Sequence, residues 1–365
     1  MKILSVFGTR PEAVKMAPVV KQLAGTPGVE SRVCVTAQHR QMLDQVLDLF
    51  NIQPQYDLNL MRENQSLAEL SAAIFTHLDP VLADFQPDWV LAQGDTTTVA
   101  ITSLLSYYRR IRFGHVEAGL RTHDKWAPFP EEINRRVAGV TADLHFAPTE
   151  WSKQNLLREG IDEMIIRVTG NTVIDALQFV AKQPEPVEIT ELVTSKLKTK
   201  KLILVTAHRR ENFGEPMEDI CRALLQLASR GDVEIVYPVH LNPNVQVPVK
   251  KLLTNVDHIT LLSPLDYLPL VHLMKHAKLI LTDSGGIQEE APAFGIPTLV
   301  LRDVTERPEG VEAGTLKLVG TVTRRIVEEA GRLLDDSSEY EKMAKAANPY
   351  GDGHASEKIV QALTS

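Results

Sequence analysis

Residues 278–297 read KLILTDSGGIQEEAPAFGIP. The apolar run Leu279 to Leu281 has the character of a buried parallel strand, and it breaks at Asp283-Ser284-Gly285-Gly286 into a helical pattern. Adjacent glycines let backbone N–H groups come close to an anion, Ser284 adds a hydroxyl, and the first helical turn offers unpaired donors at its positive end. Such a turn suits a phosphate. Glu290, about one helical turn further on, would repel a phosphate at close range but suits the vicinal diol of a ribose, to which a carboxylate can accept two hydrogen bonds. The pair points to a nucleoside diphosphate. A plainer reading stays open: the glycines make a tight turn, and Glu289 with Glu290 forms a solvated helix face.

The same alternation runs outward to both ends of the chain. Strands are expected at Ile3–Phe7, Arg32–Thr36, Trp89–Ala92, Arg112–Val116, Leu144–Ala147 and Ile165–Val168, with amphipathic helices between them. The pattern loosens at Gln183-Pro184-Glu185-Pro186 and then resumes, with strands at Leu202–Thr206, Glu234–Val239, Ile259–Leu262, Leu279–Leu281, Thr298–Leu301 and Leu316–Val319. This predicts an α/β protein of two doubly wound Rossmann-like domains facing across a cleft. Residues 1–170 form the first, joined by a final helix within 353–365, and residues 171–352 form the second.

Composition narrows the class. With 365 residues, 44% apolar and 24% charged, the chain is ordinary for a folded protein of two domains. A net charge of −8 argues against nucleic acid as a partner, since phosphates need a basic face. An anionic substrate must therefore meet a local positive cluster. Cys34 and Cys221 stand alone in strand and helix patterns and read as buried apolar residues, which fits a cytoplasmic protein. No signal peptide or bilayer-spanning run is apparent. The histidines lack metal-ligand spacing and no GxGxxG follows a strand, so neither metal nor nicotinamide cofactor is expected.

In a doubly wound fold, chemistry gathers after the strands. Arg10 and Lys15 follow the first strand, either to meet a diphosphate or as surface cations on a capped helix. Asp95 follows the third, as a helix N-cap or as a carboxylate aimed into the cleft. Glu117 follows the fourth, where a solvated face is hard to imagine. Glu131 and Arg135 are spaced i, i+4 and share a helix face, as an ion pair or as a carboxylate beside a phosphate-neutralising arginine. His208, Arg209 and Arg210 make a positive cluster after Thr206, and Arg307 sits in a later loop.

Nine strings, in one order and spanning essentially the whole chain, carry a resemblance: FGTRPEAVKMAPV, TAQHRQMLDQ, QGDTTT, HVEAGLRT, FPEEINRR, GNTVIDAL, HRREN, LTDSGGIQEEAP and RDVTERPE. They are similar to those of the non-hydrolysing UDP-N-acetylglucosamine 2-epimerases. The resemblance implies a glycosyltransferase-B-like fold and reversible epimerisation of UDP-N-acetylglucosamine to UDP-N-acetylmannosamine through a 2-acetamidoglucal. It implies a homodimer that supplies a surface polysaccharide, without membrane attachment. Asp95, Glu117, Glu131 and His208 would be catalytic. Arg10, Lys15, Arg135, Ser284, Gly285, Gly286, Glu290 and Arg307 would bind substrate, with uracil contacts near Leu265 and Leu270. Gln38, His39, Gln41, Arg62 and His240 match an activating site for a second UDP-N-acetylglucosamine. A hydrolysing epimerase, a glycosyltransferase and a nucleotide-sugar sensor are the alternatives.

Overall fold

A computed structural model describes the chain apart from residues 37–39, 61, 63 and 198 and the side chains of residues 40 and 41. It divides into two units, Met1–Ala176 with Tyr350–Ser365, and Leu177–Pro349. Each is organised on one parallel sheet.

The first sheet contains β1 (Lys2–Phe7), β2 (Glu30–Val35), β3 (Tyr56–Asp57), β4 (Trp89–Gln93), β5 (Arg112–Val116), β6 (Leu144–Ala147) and β7 (Ile166–Val168), in the order β3-β2-β1-β4-β5-β6-β7. The second contains β8 (Lys201–Thr206), β9 (Val233–Pro238), β10 (Ile259–Leu262), β11 (Ala277–Thr282), β12 (Thr298–Val300) and β13 (Leu316–Leu318), in the order β10-β9-β8-β11-β12-β13. Helices cover both faces, so the central strands are buried almost throughout, with Lys278 the partly buried residue of β11, and are rich in apolar residues. The winding reverses between β1 and β4 and again between β8 and β11. There the loops leaving adjacent strands diverge, and a ligand finds room.

Every strand expected from the sequence is present, its ends shifted by two residues or fewer. The two-residue edge strand β3 and the helix Thr172–Ala181 were not expected. Cys34 and Cys221 are free and buried, and burial pushes both thiols up to about 12.

The first unit also takes in residues 171–176 and 350–352, which the sequence reading assigned to the second. Hydrogen bonds explain the grouping. Asn171 N donates to Tyr350 O at 2.7 Å, and the buried Asp175 carboxylate accepts from Ser356 N at 2.8 Å and Ser356 Oγ at 2.5 Å. Gly170, at φ +90, abuts Gly351, and a Cβ there would stand 3.3 Å from the Gly351 Cα. The final helix, Ala355–Thr364, packs on the first, Arg10–Ala24. Among the described residues no helix is long and apolar enough to cross a membrane.

Candidate functional site

In the first unit, the helix Arg10–Ala24 opens with a reciprocal cap, in which Thr9 Oγ1 accepts from Glu12 N and Glu12 Oε2 accepts from Thr9 N at 2.7 Å. The second oxygen of Glu12 accepts from the Thr96 hydroxyl at 2.6 Å, tying the helix start after β1 to the loop after β4. Burial pushes the Glu12 carboxyl above its ordinary value. Arg10 stands partly buried at the helix start, and Lys15 reaches across to Glu117, its Nζ 2.5 Å from Oε1.

Glu117 is buried at the end of β5, with a left-handed φ of +61 that is unfavourable for a side chain of its size. Its Oε1 also accepts from Asn171 Nδ2 at 3.1 Å, and its Oε2 from Gln93 Nε2. A lysine and two amides therefore fix this carboxylate. Asp95 is held differently, by the guanidinium of Arg135. Arg135 in turn donates to Glu132 at 3.2 Å. Glu132 is fully buried and also accepts from the backbone of Thr122 at 3.1 Å and His123 at 3.2 Å.

Two local readings change here. Asp95 is not the N-cap of the helix Thr97–Tyr108; Thr96 is, with its hydroxyl accepting from Val99 N. Arg135 pairs with Asp95 and Glu132 rather than with Glu131 at i, i+4, because Glu132 points inward beneath it. Glu131, the first residue of its helix, is partly buried.

In the second unit the ends of β8 and β11 are joined by a hydrogen bond of 2.6 Å between the Thr206 and Thr282 hydroxyls. Asp283 follows, fully buried. Its Oδ2 accepts from His208 N and Arg209 N at 2.8 Å each and from Asn212 Nδ2 at 2.9 Å, so one carboxylate shapes the HRREN loop. His208 is partly exposed and stacks on His240, the exposed residue after β9, with ring centroids 5.3 Å apart. Burial holds His208 below its ordinary pKa against the pull of Asp283, with His240 and Arg209 adding to the depression.

Ser284 precedes the short helix Gly285–Glu290. Gly285 lets Arg307 lie close over the turn, since a Cβ there would stand 2.8 Å from Cζ of Arg307 and the guanidinium would have to shift. Arg307 is clamped by Glu289 at 2.9 Å and Glu306 at 3.1 Å. Burial, the largest single influence, favours the neutral Glu306 carboxyl, but the hydrogen bond and charge of Arg302 with the charges of Arg307 and Arg209 together outweigh it and draw the group down to about 2. Glu289 and Glu290 are buried, which removes the solvated-face reading, and Tyr267 donates to Glu290 Oε1 at 3.4 Å. Leu270 lies on the same helix as Tyr267, Leu265 lies just before it, and both are partly buried.

Of the suggested activator residues, Gln38, His39 and the side chain of Gln41 lie outside the described residues, and Arg62 is exposed. Sequence reasoning overlooked Glu12, Gln93, Glu132, Asn171 and Asp283. Only Glu12 had a local signal, the Thr9-to-Glu12 capping-box spacing; the others act across the fold.

The family model for UDP-N-acetylglucosamine 2-epimerase matches residues 21–364. The UDP-N-acetylglucosamine 2-epimerase of Salmonella typhimurium is 57% identical over all of this chain and 99% of its own length. The Neisseria meningitidis UDP-GlcNAc 2-epimerase, solved bound to UDP-GlcNAc, is 51% identical with a TM-score of 0.91, covering 100% of both chains. The Methanocaldococcus jannaschii enzyme, in complex with UDP-GlcNAc and UDP, is 34% identical with a TM-score of 0.81, covering 100% of this chain and 99% of its own. With two doubly wound parallel units the fold is glycosyltransferase-B-like. From the match along nearly its whole length and the fold it shares with these enzymes, the chain belongs to the UDP-N-acetylglucosamine 2-epimerase family.

Proposed function

We propose that the protein interconverts UDP-N-acetylglucosamine and UDP-N-acetylmannosamine without net hydrolysis. The observation that carries this is the pair of strand-end carboxylates in the first unit, Glu117 held by Lys15 and two amides, Asp95 held by Arg135. Carboxylates in different surroundings are what a reaction that removes a proton from one face and returns one to the other requires.

The hydrogen on carbon 2 is not adjacent to a carbonyl, so a side-chain base cannot remove it from the resting sugar. Departure of UDP from carbon 1 builds oxocarbenium character and acidifies it. One carboxylate among Asp95, Glu117 and Glu131 then takes the proton, leaving a 2-acetamidoglucal. UDP re-adds at carbon 1 while an acid group delivers a proton to the opposite face of carbon 2. Arg10, Arg135 and His208 stabilise the departing diphosphate. Ser284, Gly285 and Gly286 hold it, Glu290 takes the ribose hydroxyls, Leu265 and Leu270 line the uracil, and Arg307 stands on the phosphate side.

The protein acts as a homodimer in the cytoplasm and supplies a surface polysaccharide. A second UDP-N-acetylglucosamine activates it through Gln38, His39, Gln41, Arg62 and His240.

The test is incubation with UDP-N-acetylglucosamine in deuterated water, without acceptor or nicotinamide, followed by proton NMR. UDP-N-acetylmannosamine carrying deuterium at carbon 2 is the expected product. Free N-acetylmannosamine with UDP would move the protein to the hydrolysing class. Unchanged substrate after proven binding would leave a transferase or a sensor.

A further inference from the structure

The roles above leave Asp283 without one. Its Oδ2 is saturated by three donors, but its Oδ1, equally buried, accepts no hydrogen bond among the described residues and faces Nδ1 of His208 at 3.8 Å. Leaving a buried carboxylate oxygen without a donor costs about 1–3 kcal/mol, more for a charged group. The ring nitrogen it faces stands just beyond hydrogen-bond reach. The charged and titratable groups around that ring are Asp283 after β11, His240 after β9 and Arg209 beside it in the chain.

We propose that Asp283 is a positioning residue that holds His208 as an imidazolium when the diphosphate of the sugar nucleotide arrives, so that binding takes up a proton from solution. This rests on the reading that the strand-end cluster of the second unit binds UDP-N-acetylglucosamine. An imidazole between a carboxylate and a diphosphate meets negative charge on both sides, and both favour its protonated form. Nδ1–H then donates to Asp283 and Nε2–H to a phosphate oxygen, which satisfies the orphaned Oδ1. The proton comes from the buffer, and no substrate bond is made or broken at this step. The cation is thus already in position when charge accumulates on the leaving UDP.

Because the pKa of His208 rises on binding, proton uptake is greatest between its free and bound values, and affinity falls as pH rises through that window. The test is isothermal titration with UDP-N-acetylglucosamine at pH 7.5 in buffers of different ionisation enthalpy. The diphosphate diester exchanges no proton near neutrality and epimerisation is proton-neutral, so the buffer dependence reports the protein. The unsubstituted chain is expected to take up on the order of one proton per site, reduced by whatever fraction of bound His208 stays neutral.

Asp283→Asn keeps an acceptor for the loop donors but turns an amide toward His208. It is expected to abolish most of the uptake and weaken binding about tenfold. Equal uptake in Asp283→Asn, or binding without uptake in the unsubstituted chain, overturns the proposal. Should Asp283→Asn fail to fold, His208→Asn decides, because it removes the titrating ring and leaves the Asp283 backbone contacts; uptake that persists there also overturns the proposal. No binding at all by the unsubstituted chain overturns the underlying nucleotide reading, an outcome distinct from binding without the proton.

Discussion

The two strand-end clusters occupy the same topological place in their sheets and are built from opposite materials. After β4 and β5 the polar groups are long side chains locked to one another, Lys15 on Glu117 and Arg135 on Asp95 and Glu132. After β8 and β11 a single buried aspartate organises backbone N–H groups, and a glycine turn at Gly285-Gly286 opens the next helix with main chain in place of side chains. The difference teaches a division of labour. Side-chain carboxylates pinned by cations can exchange protons at a fixed position, whereas main-chain donors and a helix start are suited to an anion that must be held in every state of the reaction.

The sharpest way to break that division is Glu117→Gln. In the proposed reaction it removes a proton-transfer group, and it leaves the second unit untouched. Turnover is expected to fall about a thousandfold or more, with UDP affinity changed by about threefold or less. Steady-state kinetics beside UDP titration check this; parallel losses in both would mean that the clusters do not divide the work.

Asp283→Ala attacks the other cluster. It strands the N–H groups of His208 and Arg209 and leaves the Asn212 amide with Leu301 O alone, at an expected cost of about 3 kcal/mol in the stability of the second unit. All three tryptophans, Trp89, Trp126 and Trp151, lie in the first unit. Far-UV circular dichroism should therefore show an early transition that tryptophan fluorescence does not share.

Much of the two clusters could be read from the sequence because the strand-end rule is local: a run of apolar residues, then Gly-Thr-Arg, Gln-Gly-Asp or Asp-Ser-Gly-Gly. What could not be read were the residues whose partners lie far along the chain. Glu132 looks like one more acid beside Glu131 until burial shows that it carries Arg135. Asp283 looks like part of a turn, yet its donors lie more than seventy residues earlier. The edge strand Tyr56–Asp57 is too short for periodicity to show. The helix Thr172–Ala181 follows so directly on β7 that its apolar positions merged with a loop pattern.

Asn171 sharpens the comparison from the first side at a smaller expected effect. Its Nδ2 donates to Glu117, while its Oδ1 accepts from Val173 N at 3.0 Å and caps the following helix. Asn171→Ser keeps a capping hydroxyl and loses the reach to Glu117. The turnover rate should fall about tenfold, and the limb of the pH profile governed by Glu117 should move to higher pH, because the carboxylate has lost a donor. A fall in rate with both limbs unmoved would reduce Asn171 to a helix cap.

The smallest effect concerns the sheets beneath the clusters. β5 and β6 carry His115 and His145 in register, both buried, whereas β8 and β11 of the second unit carry no histidine. His115 Nε2 lies 2.7 Å from Gly94 O, but His145 has no hydrogen bond at either nitrogen among the described residues. Burial pushes His115 down to about 4 and His145 down to about 3. The unfolded chain, with histidines near 6.5, therefore binds more protons below neutrality. The stability that these two contribute is present above about pH 6.5 and is lost as pH falls towards the folded values. Between pH 7.5 and 5.5 the loss is about 1 kcal/mol for each histidine. Tryptophan fluorescence isolates the first unit, so denaturant unfolding at the two pH values measures it directly. His145→Leu keeps the volume, removes a polar ring that has no partner, and should cut the acid-induced loss by about half without lowering the midpoint at pH 7.5. An unchanged acid loss in that variant would shift the cause to the carboxylates of the cluster above, and the contrast between the two sheets would then have no bearing on stability.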